Sequence, residues 1–196
     1  IRSDLVSTNA LTSSHDIKIN DVDIGASDSA SAAAKAIAIN AVSSSTNVTA
    51  SGDNLVTLDL NFSEASTASS NISINGNAIN FSSVTNNTET ITAINNASIG
   101  DIIASSNSSG EVQLASASGA DIVITHAGSA GVFFDGHVDA TGATIAVGSS
   151  VTFKGQILLT HTAGDVIKIS GDDVGELGLQ AQASSSASTP GSIISV

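Results

Sequence analysis

The chain has 196 residues, a formal net charge of −13 and an isoelectric point near 4.2. Hydrophobic residues make up 41% of it but aromatics only 3%, and there is no Trp, Tyr, Cys or Met. Any core is therefore built from Ile, Val, Leu and Ala in thin layers, and disulfide and thiolate chemistry are excluded. The five basic residues, Arg2, Lys18, Lys35, Lys154 and Lys168, are scattered, whereas a nucleic acid or an anionic membrane requires a clustered basic patch.

Residues 1–15 (IRSDLVSTNALTSSH) have no sustained period and read as a linker or connecting strand. From Asp16 the pattern sharpens. Ile17, Ile19, Val22 and Ile24 flank a polar Asn20-Asp21 turn, which predicts a hairpin. Asp28 or Ser29 then caps an alanine-rich run free of Gly and Pro, predicting a helix over 29–42. Ile37 and Ile39 lie about 200° apart on a helix and cannot share one narrow stripe. Ala32, Ala36 and Ile39 make the predicted buried face, with Ile37 at its margin. Val48 begins a strand, Ser51-Gly52-Asp53-Asn54 reads as a turn, and Val56, Leu58, Leu60 and Phe62 alternate as a half-buried strand. Residues 63–70 read as a loop.

The whole unit then recurs 55 positions later. Ile17, Ile19, Asn20 and Ile24 map onto Ile72, Ile74, Asn75 and Ile79, the pair Ile39-Asn40 onto Ile94-Asn95, and Val48 onto Ile103. The second helix is predicted over 88–96, followed by a strand over 101–104. The repeated positions Ile19, Asn20, Ile24, Ile39 and Asn40, with Ile74, Asn75, Ile79, Ile94 and Asn95, are the candidate structural site.

The pattern I-x-I-N-x-x-x-I, a short Ala/Ser-rich helix ending in I-N, and a V-x-A strand resembles the flagellin IN motif. That motif occurs in the variable outer region of bacterial flagellins and in some hook-associated and filament-cap proteins. The resemblance covers residues 16 to about 126, and more loosely 155–179 (GQILLTHTAGDVIKISGDDVGELGL), which is similar to the segment where a flagellin chain returns from its outer domain. The first copy matches specifically. The second departs where Thr88-Glu89-Thr90 replaces most of the alanines.

A second recurrence has an offset of 45: residues 109–124 reappear as 154–169, aligning Val112 with Ile157, Leu114 with Leu159, Gly119 with Gly164 and Ile124 with Ile169. Each copy reads as a β-hairpin with a Gly turn. Between them, 132–134, 143–147 and 150–153 read as further strands. The Ser/Ala-rich tail from residue 180, with the sole proline at Pro190, reads as a linker.

Signatures of chemistry are missing. His15, His126, His137 and His161 have no metal-ligand spacing, and HExxH, GxSxG and phosphate-binding glycine loops do not occur. The aspartates of 21–28 and 171–173 lack the ligand pattern and terminal Glu of a calcium loop. No apolar run approaches the ~20 residues that span a bilayer, and no signal peptide is visible.

The expected fold is α+β, mainly β: two repeated hairpin, short-helix and strand units followed by an antiparallel β region. The expected division is 1–15 linker, 16–62 first unit, 63–126 second unit, 127–179 β-rich region and 180–196 linker. The expected function is structural and not enzymatic, without cofactor or metal. The resemblance implies the surface-exposed, variable outer domain of a bacterial flagellin, secreted as part of an extracellular filament for motility. It also implies neighbouring flagellin subunits as partners and exposed Ser/Thr as sites of O-glycosylation. The heptad-rich terminal helices through which flagellins polymerise do not occur in this sequence, so the isolated chain is expected to be monomeric. The alternative is an adhesin-like or filament-cap/hook-associated domain that binds glycans or a host surface. Neither nucleic acid nor membrane is an expected partner.

Overall fold

A computed structural model describes residues 1–60, 62, 72–81, 83–127, 145–146 and 148–181. The elements in order are β1 (Arg2–Leu5), β2 (Lys18–Ile19), β3 (Val22–Asp23), α1 (Ala32–Asn40), a single-turn α2 (Ser43–Thr46) and the long β4 (Val48–Leu58). Then come β5 (Ile72–Ile74), β6 (Asn77–Ile79), α3 (Asn87–Asn96), β7 (Ile102–Ser106), β8 (Val112–Ser116), β9 (Ile122–His126), β10 (Ser149–Phe153), β11 (Gln156–His161), β12 (Ile169–Ser170) and a 3-10 turn (Val174–Leu177). The fold is α+β and mainly β. Three antiparallel sheets have the orders β1-β11-β4-β8-β7, β10-β9-β5-β6 and β12-β2-β3.

The two sequence offsets have one structural cause. Ile19 pairs with Ile169, and their counterparts Ile74 and Ile124 pair with each other. Ala50 pairs with Leu159 as Ala104 pairs with Leu114, 54 positions apart and not 55, so the connection from helix to strand is one residue shorter in the second unit. The expected match of Val48 to Ile103 is corrected: buried Val48 corresponds to buried Ile102, and Ile103 is 62% exposed. Arg2 pairs with Leu158, as Thr57 pairs with Gln113. Each unit is thus an opening strand, a hairpin, a helix and three further strands. The second unit runs nearly continuously from the latter half of β4 through β9. The first is split: its opening part lies before residue 54 and its closing strands are β11 and β12. One unit is inserted within the other.

The hydrophobic cores follow this nesting. The first gathers Ile17, Ile19, Ile24, Ala36, Ile39 and Val48 with Ile157, Leu159, Ile167, Ile169 and Leu177. The second gathers Val56, Leu58, Ile72, Ile74, Ile79, Ile94, Leu114, Ile122 and Ile124 with Phe153. A linear division at 62, 126 and 179 therefore does not follow the cores, because strands of the 127–179 region complete both. Nor is 1–15 only a connection: β1 is an edge strand of the large sheet, and Val6 and Leu11 are buried.

Two expected turns are corrected. Ser51-Gly52-Asp53-Asn54 runs straight through the middle of β4. Its first half pairs with β11 and its second with β8, so this one strand ties the units together. Residues 109–124 and 154–169 are not hairpins. β8 pairs with β4 and β7 while β9 pairs with β5 and β10; β11 pairs with β1 and β4 while β12 pairs with β2. Each Gly turn is an arch that carries the chain across a core from one sheet to the opposite one. Alternating strands with a Gly turn between them have the same pattern in either case.

Helix α1 is capped by Ser31, three residues later than Asp28, through its side chain accepting from the Ala34 N–H at 3.2 Å. Asn86 caps α3 in the same way, accepting from Glu89 N–H at 3.0 Å. The expected strand at 132–134, residues 143–144 and 147 of the one expected at 143–147, the loop at 63–70 and the tail from 182 lie outside the described residues; the described residues 145–146 are not in a strand.

In α1, Ile39 is 0% exposed and Ile37 is 68% exposed; in α3, Ile94 is 1% exposed. Truncating Ile39 or Ile94 to Ala removes buried methyl and methylene groups and is expected to cost about 2–5 kcal/mol. Ile37→Ala should stay within about 0.5 kcal/mol, as for other surface changes. Urea unfolding followed by circular dichroism measures all three in a chain without Trp or Tyr.

Candidate functional site

The repeated isoleucines and asparagines come together twice, once in each unit. Ile19, Ile24 and Ile39 point into the first core and Ile74, Ile79 and Ile94 into the second, none more than 4% exposed. The asparagines beside them are spent on backbone. Asn40 Nδ2 donates to Ala50 O at 2.8 Å, and Asn40 Oδ1 accepts from Ala50 N–H at 2.7 Å. Asn95 clamps Ala104 identically, at 2.9 and 2.8 Å. Ala50 pairs with β11 on its other side and Ala104 with β8, so each asparagine covers an open stretch of sheet edge. Unpaired edge groups otherwise invite another chain.

Asn20 and Asn75 do a second repeated job. Each opens a hairpin turn in the left-handed region, with φ of 50° and 47°, followed by a second positive φ at Asp21 (64°) and Gly76 (77°). Two positive φ values define the type I′ turn, which matches the twist of the flanking strands. Asn20 Oδ1 accepts from Lys168 N–H at 2.8 Å while Asn20 N–H donates to Lys168 O at 2.9 Å. Asn75 holds Val123 by the same two bonds, at 2.7 and 2.8 Å. Lys168 and Val123 are themselves related by the 45-residue offset. Only the side-chain amide differs in target: Asn20 Nδ2 donates to Thr46 O at 2.7 Å and Asn75 Nδ2 to Asp121 O at 3.1 Å.

The two units meet at three glycines. A Cβ on Gly52 would lie 2.5 Å from Ser118 O, one on Gly119 2.6 Å from Gly52 Cα, and one on Gly155 2.5 Å from Asp53 O. Here the arch of the second unit seats on the first turn of α1, where Ala33 N–H donates to Gly119 O at 3.1 Å. That carbonyl satisfies one of the donors a helix start leaves free. Asn54 Nδ2 donates to Ala120 O and Phe153 O at 3.0 and 2.8 Å, and Lys154 pairs with Asp121 at 2.7 Å. Asp101 steadies the arch. Burial would raise its pKa, but hydrogen bonds from the Ser118 and Ser116 hydroxyls and the Ser118 N–H outweigh that and hold it below the usual carboxylate value.

Three residues were missed in the sequence for lack of a local chemical signature. Lys35 is fully buried, donating to Ser7 O at 3.2 Å, Ser7 Oγ at 3.1 Å and Glu176 O at 2.6 Å. Burial pushes it down to about 8, with Glu176 opposing and Lys154 adding. Its place on the stripe Ala32, Lys35, Ala36, Ile39 was the available signal. Gly52 sits on the inward alternation Val48, Ala50, Gly52, Asn54, Val56, Leu58, which argues for one strand through it. His126 continues the inward run Ile122, Ile124 and is fully buried.

The other histidines lie apart. His15 Nδ1 accepts from Thr12 N–H, His161 Nδ1 accepts from Ala163 and Asp165 N–H, and His137 lies outside the described residues. Asp21 and Asp23 pair with Lys168 and Lys18, and Asp173 accepts from the Asp16 N–H. Among the described residues no group of three His, Cys, Asp or Glu side chains could hold a metal ion, and no helix is long and apolar enough to cross a membrane. No family model and no curated protein matches the chain.

Asn40→Ala and Asn95→Ala each leave one N–H and one C=O of a strand without partners. Each should cost about 1–3 kcal/mol, with faster amide exchange at Ala50 and Ala104 respectively and little effect on the other unit. Hydrogen exchange read by NMR measures both.

Burial lowers the His126 pKa below its ordinary 6.5. The unfolded chain therefore binds this proton more readily, and stability falls as pH drops from about 6.5 through the lowered native value. The second unit should lose stability as pH falls below about 6.5, in part through this group. His126→Phe should flatten that portion of the pH profile, measured by urea midpoints across the range.

Proposed function

We propose that this chain is a structural module, the outer domain of a bacterial flagellin, carried on a filament whose polymerising helices belong to other parts of the polypeptide. The observation that carries this reading is the double use of the IN-type residues. Both copies spend Ile39-Asn40 and Ile94-Asn95 on the same plug and edge clamp. In the folded domain the repeated residues build architecture.

A second feature supports a projecting insert. The first strand and the final 3-10 turn lie side by side, with Asp4 N–H donating to Gly178 O at 2.9 Å and Ser7 N–H to Glu176 O at 3.3 Å. A domain in which the chain comes in and leaves at one point can be set into a longer chain without disturbing either. The outer face of the large sheet, with Thr49, Ser51, Ser105 and Thr160 exposed, would meet solvent, neighbouring subunits or attached sugars. A net charge of −13 would keep such copies apart.

Immunogold electron microscopy with antibodies raised against this chain tests the reading on cells of the source bacterium. Label along the length of flagellar filaments is expected. Label confined to the filament tip would replace it with a cap protein, and label on the cell body with bare filaments would replace it with an adhesin.

A further inference from the structure

The chain contains a single Asn-Gly step, Asn75-Gly76, at the tip of the β5–β6 hairpin. Both residues are exposed, and nothing lies within 4 Å of the place where a Gly76 Cβ would be. In a flexible chain this step is the most prone of all to intramolecular imide formation, because glycine leaves the attacking main-chain nitrogen unhindered. Here the asparagine is held by three bonds to one neighbouring segment. Its N–H donates to Val123 O at 2.8 Å, its Oδ1 accepts from Val123 N–H at 2.7 Å, and its Nδ2 donates to Asp121 O at 3.1 Å. Its backbone is fixed in the left-handed region at φ 47°.

We propose that Asn75-Gly76 is a self-modification site gated by the fold, silent while the hairpin is docked on β9 and reactive whenever it opens. In the open state the Gly76 nitrogen attacks Asn75 Cγ and gives up its proton, and the Cγ–Nδ2 bond breaks to release ammonia. Water then opens the five-membered imide at either carbonyl, leaving aspartate or isoaspartate. The net change is asparagine plus water to a carboxylate plus an ammonium ion, the acid's proton passing to the released ammonia, with no oxidant or cofactor.

The product cannot re-form the native contacts. A carboxylate retains an acceptor for the Val123 N–H but has no donor for Asp121 O, and its new charge faces a carbonyl it formerly bonded. Isoaspartate also lengthens the backbone by one methylene inside a two-residue turn whose register depends on that length. Each opening that ends in reaction is therefore recorded irreversibly, as a second unit that no longer closes. The first unit has Asp21 where the second has Gly76, in a turn of the same type, and the bulkier residue withholds that reactivity. The modification is thus specific to one of two near-identical hairpins.

Peptide mapping by mass spectrometry, with isoaspartate quantified enzymatically, tests this on the whole chain incubated at pH 8 in buffer and in strong urea. Conversion at Asn75 should be at least tenfold faster in urea, while Asn20 converts slowly in both. In urea, Gly76→Ala should slow conversion at Asn75 by at least tenfold, a comparison that does not depend on the variant folding. After urea is removed, converted chains should show lost amide-exchange protection across 72–79 and 121–126 and normal protection across 17–24. Equal rates in buffer and urea would overturn the gating, and no conversion in urea would overturn the site. Full recovery of protection by converted chains would overturn the one-way record.

Discussion

Every short helix laid across a sheet has to solve two problems at its end: it must bury something large enough to hold it down, and it must not leave the strand beneath with unpaired backbone. Neighbouring helical residues project about 100° apart. An isoleucine followed by an asparagine therefore sends one side chain down into the core and the other sideways to the sheet edge. Ile39-Asn40 and Ile94-Asn95 do this in turn, the asparagine supplying both the donor and the acceptor that a missing strand would have supplied. An Ala-rich helix of nine residues would be marginal by itself.

The nesting of the units rests on a second constraint, the close approach of three backbones. β4 serves both units because Gly52 lets the Gly119 arch sit directly on it, with Gly155 completing the contact. The arch in turn offers a carbonyl to the start of α1. Lys35, one turn further on, reaches away to the N-terminal segment and the 3-10 turn. A buried ammonium is costly unless its donors are met; here three oxygens meet them, and the result is that α1 ties together the beginning and end of its split unit.

Much of this could be read from residues alone, and the failures share a cause. The repeats, the helix stretches, the I′ turns and the buried face of α1 are local patterns, carried by period, caps and paired isoleucines. Which strand lies beside which is not local. Gly52 looked like a turn because glycine, aspartate and asparagine in succession favour one, yet the even-numbered alternation ran through it unbroken. The 45-residue recurrence was visible as a pattern, but alternation does not distinguish a hairpin from an arch. Lys35 and His126 gave no signal of burial by residue type, and only their position on inward-facing stripes pointed to it.

Nesting also sets an order of assembly for the nascent chain. Among the described residues, the buried members of the second core other than Ile145 and Phe153 have all been made once His126 has. Those of the first core have not: Ile17, Ile19 and Ile39 must wait for Ile157, Leu159, Ile167 and Ile169. Domains generally close as their residues emerge, at about 5–20 residues per second. The inserted unit can therefore be largely formed while the earlier-made half of its host still exposes its isoleucines. That half must remain unassociated over the whole interval, and the strand it shares with the inserted unit is the template against which it finally closes.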